Sequence, residues 1–295
     1  MAILVTGASG LLGRHLCARL LRDGHRVIGL VHREPLHLEN SRFASCVGDI
    51  TDVSSLERIF RSHDIKGVFH LAAALPYDWN PRYYAVNVVG SRKVLNMCAD
   101  YKVRFFVFAS SMSVYGIPKY LPVDEEHPTK VLTNPDRDYG QSKLGTEQEI
   151  PLYGIPYAIL RYAGMYGVGQ KNGRAVRNFV QQAMKGEPIT VNGDGSQSSD
   201  FVYVEDAVEG TMLAISKHKQ GIFNIGSGQE TSLLELARMV VKITGSKSEI
   251  AIGGGPVDRP FRFVSDIGRA RRELGYSPMG LVDGLRNYIE DVQRE

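Results

Sequence analysis

Short apolar runs alternate with amphipathic patterns along the first half of the chain. Runs of apolar residues bounded by polar turns predict buried strands, and apolar residues spaced three and four apart predict helices. Strands separated by crossover helices are typical of an α/β fold with a Rossmann-type, doubly wound parallel sheet. The predicted strands are 3–5, 26–31, 67–71, 104–109 and 158–161, and the predicted helices are 11–23, 54–62, 83–101 and 138–149.

The pattern changes near residue 164, where glycine becomes frequent and strands and helices no longer alternate regularly. We therefore predict a Rossmann-type first domain over 1–163 and a smaller, mixed α/β second domain over 164–295. Parts near 200–216 and 260–267 are expected to return to the first domain. This arrangement would place a cleft between the two domains.

Composition narrows the class of protein. The chain has 295 residues, 43% of them hydrophobic, which is enough for a large core. A net charge of +3 without a basic cluster does not favour a nucleic-acid partner. The three cysteines have no metal-ligand spacing, so we expect buried thiols and no metal site. Without a signal-peptide pattern or a membrane-length apolar run, a soluble, cytoplasmic protein is expected.

A glycine loop joins the first predicted strand to the first predicted helix. Its spacing is GxxGxxG rather than the GxGxxG of the dehydrogenase fingerprint. Glycines at such a junction let the backbone approach a pyrophosphate, which the helix N-terminus then binds. The candidate cofactor-binding residues in this loop are Gly7, Ser9, Gly10, Leu11, Leu12 and Gly13.

The end of the second predicted strand bears on the choice of cofactor. NAD-binding Rossmann proteins place an acidic residue there to bind the ribose hydroxyls, but this chain has Val31, followed by His32 and Arg33. Because an arginine can pair with a 2′-phosphate, we predict NADP in preference to NAD. The alternative is that Arg33 simply points into solvent.

Two further segments carry candidate chemistry. Hydroxyls at Ser110, Ser111 and Ser113 follow a strand, at the edge of the sheet where α/β proteins bind ligands. Tyr139 and Lys143 are spaced i and i+4, which places them on one face of a helix. A lysine cation beside a phenol favours the phenolate and so prepares Tyr139 for proton transfer.

Together these segments resemble the extended short-chain dehydrogenase/reductase family, in particular its nucleotide-sugar epimerases, dehydratases and reductases. The resemblance covers nearly the whole chain, and its motifs occur in the family's order. They are TGASGLLG, GDI at 48–50, HLAA at 70–73, NVVG at 87–90, SSMSVYG, YGQSK, GDG at 193–195, DFVYVED at 200–206 and NIGSG at 224–228.

The resemblance implies a role for each matching position. Tyr139 would be the acid/base, Lys143 would bind the nicotinamide ribose, and Ser111 would hydrogen-bond the reacting oxygen. Further implied cofactor-binding residues are Asp49, Ile50, Leu71, Ala72, Ala73, Asn87, Ser110 and Tyr162. Implied substrate-binding residues are Ser113, Gly164, Asn224 and Arg259. Ordinary loop hydrogen bonding is the alternative for Ser110 and Ser113.

The chain also departs from the family pattern. Met112 and Ser113 replace the acidic pair of dehydratases, which disfavours that reaction. Ser199 replaces an arginine that pairs with the substrate diphosphate, and Gly164 replaces an asparagine. Pro151 should end the helix that carries Lys143 early, which weakens the expectation of a homodimer. Cations that could replace the missing arginine are Arg259, Arg262, Arg174 and Lys171.

These observations predict hydride transfer at a secondary alcohol or ketone, on a small-molecule substrate expected to be a nucleotide-linked sugar. A reductase with exchangeable NADPH is favoured. The alternatives are an epimerase that holds NAD tightly and a reductase of a non-nucleotide substrate. A non-catalytic dinucleotide sensor is disfavoured, because such relatives generally lack the tyrosine or the lysine.

Overall fold

The structure is a computed structural model that describes residues 1–33, 35–76, 78, 82–129, 136–170, 174–253 and 261–294. The strands are β1 Ala2–Thr6, β2 Arg26–Val31, β3 Phe43–Val47, β4 Ile65–His70, β5 Phe105–Ser111, β6 Tyr157–Tyr162, β7 Gly164–Tyr166, β8 Ile189–Asn192, β9 Ser198–Tyr203, β10 Gly221–Ile225, β11 Glu230–Ser232 and β12 Ile250–Gly253. The α-helices are α1 Leu11–Arg22, α2 Val53–Ser62, α3 Ser91–Asp100, α4 Arg137–Glu149, α5 Ala175–Lys185, α6 Val204–Ser216, α7 Leu233–Thr244, α8 Gly268–Leu274 and α9 Leu281–Arg294.

Seven parallel strands form the main sheet in the order β10-β6-β5-β4-β1-β2-β3. The order reverses between β4 and β1, and open α/β sheets bind ligands beyond the carboxyl ends of the strands at such a point. The predicted Rossmann-type sheet is therefore confirmed. Strand β10 belongs to the second half of the chain but completes this sheet beside β6.

Both faces of the main sheet are covered by helices. Apolar residues of α1, α6 and α8, such as Leu16, Val208 and Leu274, pack on one face. Residues of α2 and α3, such as Leu56 and Leu95, pack on the other. Strands buried on both faces read as continuous apolar runs rather than alternating ones, which is why the sequence pattern located them well.

Two elements differ from the sequence-based prediction. Strand β3 was not predicted, because its side chains at the edge of the sheet are mostly half-buried and its sequence has no continuous apolar run. The helix predicted over 83–101 consists of α3 preceded by a π-helical segment, Tyr84–Gly90. A Cβ atom at Gly90 would lie 2.9 Å from Ile50 Cδ1, so this segment packs closely against the loop after β3.

The second half of the chain adds two small sheets. One contains β11, β9 and β7, and the other pairs β12 with β8. Helices α5, α7 and α9 share an apolar core with them that includes Phe179, Leu236 and Leu285. None of the helices in the described ranges is both long enough and apolar enough to cross a membrane.

Candidate active site

The glycine loop forms a cradle in which positions 7 and 13 leave no room for a side chain. Gly7 has a φ of +69°, and a Cβ atom there would lie 2.8 Å from the Ala72 backbone nitrogen. A Cβ atom at Gly13 would lie 2.3 Å from the Gly7 carbonyl oxygen. The first turn of α1, all of it described, has neither a capping side chain nor an acidic residue. Its free N–H groups and positive dipole end therefore suit a pyrophosphate.

A buried polar chain joins this loop to β4. The Thr6 hydroxyl accepts from the Leu71 and Ala72 N–H groups at 3.1 Å and contacts His70 Nδ1 at 2.8 Å. His70 Nε2 lies 2.7 Å from the Ser91 hydroxyl. Burial, with a contribution from the charge of Lys143, lowers the pKa of His70 to about 3, so this ring is neutral. These hydrogen bonds hold the backbone of Leu71 and Ala72 beside the glycine loop.

Asn87 fixes the next part of the same segment. Its Oδ1 accepts from the Ala74 N–H at 2.7 Å, and its Nδ2 donates to the Ala74 carbonyl and to the Ser142 hydroxyl. The predicted cofactor-binding residue Asn87 is thus a buried clamp between this segment and α4. Any effect it has on a cofactor passes through the backbone that it holds.

Asp49 and His32 follow β3 and β2, at the same edge of the main sheet as the glycine loop. Asp49 accepts the Thr51 N–H at 2.7 Å, and its other carboxylate oxygen lies 3.5 Å from His32 Nε2. Partial burial acts against it, but the hydrogen bonds from Thr51 and the nearby His32 hold the pKa of Asp49 below its ordinary value. Ile50 is buried beneath this end, and Arg33 is exposed to solvent.

Helix α4 carries Tyr139 and Lys143 on the face that meets β5. The Tyr139 side chain is mostly buried, with its ring centroid 6.0 Å from that of Tyr83. Lys143 is 2% exposed, and its Nζ donates to the Ala109 carbonyl at 2.7 Å. The same nitrogen lies 5.8 Å from the centre of the Tyr139 ring. Burial lowers the pKa of Lys143 to about 7, and the charge of Glu147 opposes that shift.

The hydroxyls of Ser111 and Ser113 lie together at the end of β5. Ser111 Oγ accepts the Ser113 N–H at 3.1 Å and lies 3.2 Å from the Ser113 hydroxyl. Both residues line a cavity of about 330 Å³. Its remaining walls come from Pro76, Met112, Asp136, Tyr162, Ala163 and Arg174. The hydroxyl of Tyr162 is bonded to Thr211 at 2.6 Å, so this residue offers the cavity its ring.

Ser110 faces the other way. Its hydroxyl donates to Glu147, which also binds the guanidinium of Arg161. Sequence reasoning missed both charged residues, although the spacing of Glu147 four positions after Lys143 was a usable signal. A role for Ser110 in cofactor binding would fall to its backbone.

Two departures from the family pattern are adjacent in space. A Cβ atom at Gly164 would lie 2.9 Å from the Asp200 carbonyl oxygen and 3.7 Å from Ser199 Oγ. Strand β7 pairs with β9 here, so the backbones approach closely. A side chain at position 164 would therefore have to displace β9, which favours glycine there.

Asp200 anchors the loop that follows β10. Its carboxylate accepts the Ser227 N–H at 2.7 Å, the Ser227 hydroxyl at 2.6 Å, and the N–H groups of Gly228 and Ser265 at 3.2 Å. Burial raises the pKa of Asp200, and these hydrogen bonds oppose that shift. The sequence motif pointed to this region, but not to the buried carboxylate that organises it.

The remaining predicted substrate-binding residues differ in their surroundings. Asn224 is 1% exposed, accepts from the Tyr115 hydroxyl and donates to the carbonyls of Val123 and Asp266. A substrate contact through its amide would have to break those bonds. Arg259, like Lys171, lies outside the described residues.

The other two candidate cations are described. Arg262 makes a bidentate pair with Glu230 at 2.7 and 2.8 Å. Arg174 borders the cavity of Ser111 and Ser113.

Comparison with known proteins places this geometry in a family. A family model described as the NAD-dependent epimerase/dehydratase family matches residues 3–226. A protein of Methanocaldococcus jannaschii with the provisional name UDP-glucose 4-epimerase is 36% identical over 304 residues, covering 97% of each chain. UDP-glucose 4-epimerase of Thermotoga maritima, solved with UDP-glucose, is 30% identical with a TM-score of 0.89, covering 100% of this chain and 99% of its own.

A third relative was solved with its cofactor. UDP-glucuronic acid 4-epimerase of Bacillus cereus, in complex with UDP-glucuronic acid and NAD, is 33% identical with a TM-score of 0.83. The alignment covers 99% of this chain and 100% of that one.

The prediction of NADP is wrong. The neighbouring epimerase structures that contain a dinucleotide are complexed with NAD. The structure gives the physical reason: Arg33 is exposed, and His32 lies beside the Asp49 carboxylate, whose charge would repel a 2′-phosphate. The preference for a reductase depended on NADP, and the comparisons with epimerases do not support it.

Proposed function

Because the chain belongs to the NAD-dependent epimerase/dehydratase family, an enzyme family of the extended short-chain dehydrogenases/reductases, we propose that it is a nucleotide-sugar 4-epimerase. The reaction proposed is the interconversion of UDP-glucose and UDP-galactose. UDP-glucuronic acid is the second candidate substrate, since the Bacillus cereus relative binds it.

One observation carries the proposal. Lys143 lies buried under Tyr139 on α4, and the hydroxyls of Ser111 and Ser113 line the cavity at the end of the neighbouring strand. A cation, a phenol and two hydroxyls beside a dinucleotide cradle are the groups that reversible oxidation of an alcohol requires.

A bound NAD would supply the hydride acceptor and donor for C4 of the sugar, with return of the hydride to the opposite face giving the epimer. Tyr139 takes the proton of the C4 hydroxyl in the first step and returns it in the second. Ser111 donates a hydrogen bond to the C4 oxygen and orients it. Lys143 favours the phenolate form of Tyr139 through its charge. No net oxidation results, so the cofactor can stay bound through many turnovers.

The cradle described above fits NAD. Side chains are excluded at Gly7 and Gly13, so the backbone can approach a pyrophosphate at the first turn of α1. On the substrate side, Arg174 is the proposed partner of the diphosphate, because it borders the cavity and Ser199 cannot supply a cation. We also propose that the chain divides into two domains near residue 164.

The proposal is tested by incubating the purified protein with NAD and either UDP-glucose or UDP-glucuronic acid. Products are separated by chromatography, and their configuration at C4 is read by NMR. We expect the C4 epimer to accumulate without net NADH. NADH formed in proportion to substrate, a decarboxylated pentose, or no C4 epimer from either substrate would contradict the proposal. Tyr139→Phe protein, purified in parallel, controls for contaminating epimerase.

We also propose a homodimer formed through α3 and α4. Helix α4 does end at Glu149 before a 3-10 turn, Ile150–Tyr153, as Pro151 predicted, and this shortens the face that α4 can offer a partner. The exposed apolar side chains Tyr84 and Leu152 lie beside these helices. Light scattering coupled to size-exclusion chromatography should give twice the chain mass, and Leu152→Glu should reduce it to the monomer.

A further inference from the structure

A buried ion pair lies beneath the catalytic segment. Glu147 on α4 accepts from Arg161 on β6 through two hydrogen bonds, Nε to Oε1 at 3.0 Å and Nη2 to Oε2 at 2.6 Å. The two side chains are 3% and 4% exposed, respectively. Such a bidentate pair has the geometry that best compensates two charges for the loss of water.

The same carboxylate reaches the catalytic strand. Glu147 accepts the hydroxyl of Ser110, the residue between Ala109, whose carbonyl binds Lys143, and Ser111. One helix therefore holds two consecutive residues of β5 through Lys143 and Glu147, and the next residue along is Ser111. Movement of Glu147 would be transmitted directly to the hydroxyl that faces the cavity.

Several titratable or charged groups surround Lys143. On its own helix are Tyr139 and Glu147, and on β4 is His70. His70 is neutral, because burial lowers its pKa to about 3. Arg161 is engaged with Glu147 and lies 4.8 Å from the centre of the Tyr115 ring.

Burial by itself would drive Lys143 to its neutral form. A neutral amine would lose its electrostatic effect on Tyr139 and its strength as a donor to Ala109. The negative charge of Glu147, one helical turn away, opposes that loss. Burying an ion pair costs desolvation free energy, and apolar side chains of similar volume are often as stabilising. Filling space alone therefore does not explain this pair.

We propose that Glu147 is a positioning residue, which keeps Lys143 charged and fixes Ser111 through Ser110. The consequence for turnover rests on the proposed function. The effect on the charge of Lys143 does not, and it can be measured without any sugar nucleotide.

The first test is an NMR titration of Lys143 in protein labelled with ¹³C,¹⁵N-lysine, the signal being assigned by its loss in Lys143→Met. Glu147→Gln keeps the size and shape of the side chain and removes its charge, although an amide nitrogen cannot accept the hydrogen bond that Oε2 accepts from Arg161 Nη2. We expect the pKa of Lys143 to fall by about one unit or more relative to wild type. Glu149→Gln is the matched control: it makes the same change two residues on, where the carboxylate pairs with Arg92 at the surface, and should leave Lys143 unchanged.

The second test separates positioning from a purely structural role. Since Lys143 is charged below its pKa, the basic limb of the kcat–pH profile should move to lower pH in Glu147→Gln, and lower pH should restore most of the lost rate. Damage to the fold would reduce the rate equally at every pH. A uniform loss of rate with an unchanged Lys143 titration would overturn the proposal.

A fallback variant covers the case in which Glu147→Gln does not fold, because it leaves Arg161 buried beside a neutral amide. In Glu147→Met/Arg161→Met both charges are replaced by apolar side chains of similar length, a change that proteins often tolerate. Of these two charges it is that of Glu147 that raises the pKa of Lys143. The double variant should therefore still lower that pKa, by less than Glu147→Gln because a cation is lost as well, and an unchanged pKa overturns the proposal. If the epimerase assay fails while the titration shifts, only the proposed function is lost.

Discussion

The proposed cofactor side and the proposed substrate side of the active site are built by different means. On the cofactor side the backbone forms the site: Gly7 and Gly13 exclude side chains, and Thr6 and Asn87 bind main-chain groups. On the substrate side, side chains determine the properties of the site, and position 199 departs from the family pattern. We therefore expect the first side to vary less among relatives than the second.

The difference teaches where sequence motifs are informative. A backbone cradle requires glycine at fixed positions, so the sequence motif alone predicts its geometry. A side-chain site can replace one residue by another from a different segment. Arg174 borders the cavity, whereas Ser199 stands where the family pattern has its arginine. No spacing in the sequence relates these two positions.

The largest expected effect is on kcat, from substitution of Tyr139, the proposed acid/base between cofactor and substrate. Tyr139→Phe removes the hydroxyl that is proposed to exchange the proton of the substrate, and it should lower kcat by about 100- to 10,000-fold. Binding of NAD, measured by isothermal titration calorimetry, should change little. A variant that retains most of its activity would show that another group transfers the proton.

The cofactor side is tested by two alanine substitutions at glycines with positive φ. Gly7→Ala places a Cβ atom 2.8 Å from the Ala72 nitrogen, whereas no described atom lies within 4 Å of a Cβ at Gly154. Both variants bear the strain of a left-handed backbone, about 1–2 kcal/mol. Only Gly7→Ala should weaken NAD, by about tenfold or more, a factor that corresponds to about 1.4 kcal/mol. Equal NAD affinities in the two variants would contradict the proposed cradle.

Asn224→Ala tests whether this predicted substrate residue supports the fold. It removes three side-chain hydrogen bonds, two of them buried. The Val123 carbonyl keeps the Asp266 N–H as a donor, and the Tyr115 hydroxyl keeps Arg161. We expect the free energy of unfolding to fall by about 3 kcal/mol, as judged by urea denaturation. The KM of the folded fraction should change little. Unchanged stability with a raised KM would instead assign Asn224 to substrate binding.

A smaller loss of stability than that of Asn224→Ala is expected at position 164, where the family pattern has an asparagine. Gly164→Asn forces a Cβ atom to within 2.9 Å of the Asp200 carbonyl and should cost about 1–3 kcal/mol of stability. Gly280→Asn is the control, since no described atom lies within 4 Å of a Cβ there. If the two variants are equally stable, β9 is free to move and the close approach of β7 does not explain the glycine.

Much of the architecture could be predicted from the chain because its strands are continuous apolar runs and its helices are amphipathic. Strand β3 could not, since an edge strand with half-buried side chains has no such run. The motifs located Tyr139, Lys143 and the glycine loop. They did not locate Glu147 and Arg161, because a buried ion pair joins residues that only the fold brings together.

The prediction of NADP from Arg33 failed for a related reason. The pattern at the end of β2 shows which side chains are present, but not that Asp49, from the end of the next strand, approaches His32. Local sequence described one strand, whereas the charge at the site depends on two.

The central claim is that the hydride removed from C4 returns to C4. It is tested most directly with UDP-glucose that carries deuterium at C4, incubated with the protein and unlabelled NAD. We predict UDP-galactose that keeps its deuterium at C4, as read by mass spectrometry and NMR, with no label in the released cofactor pool. Loss of deuterium from the epimer, or its transfer to free NADH, would contradict a closed epimerase cycle at Tyr139.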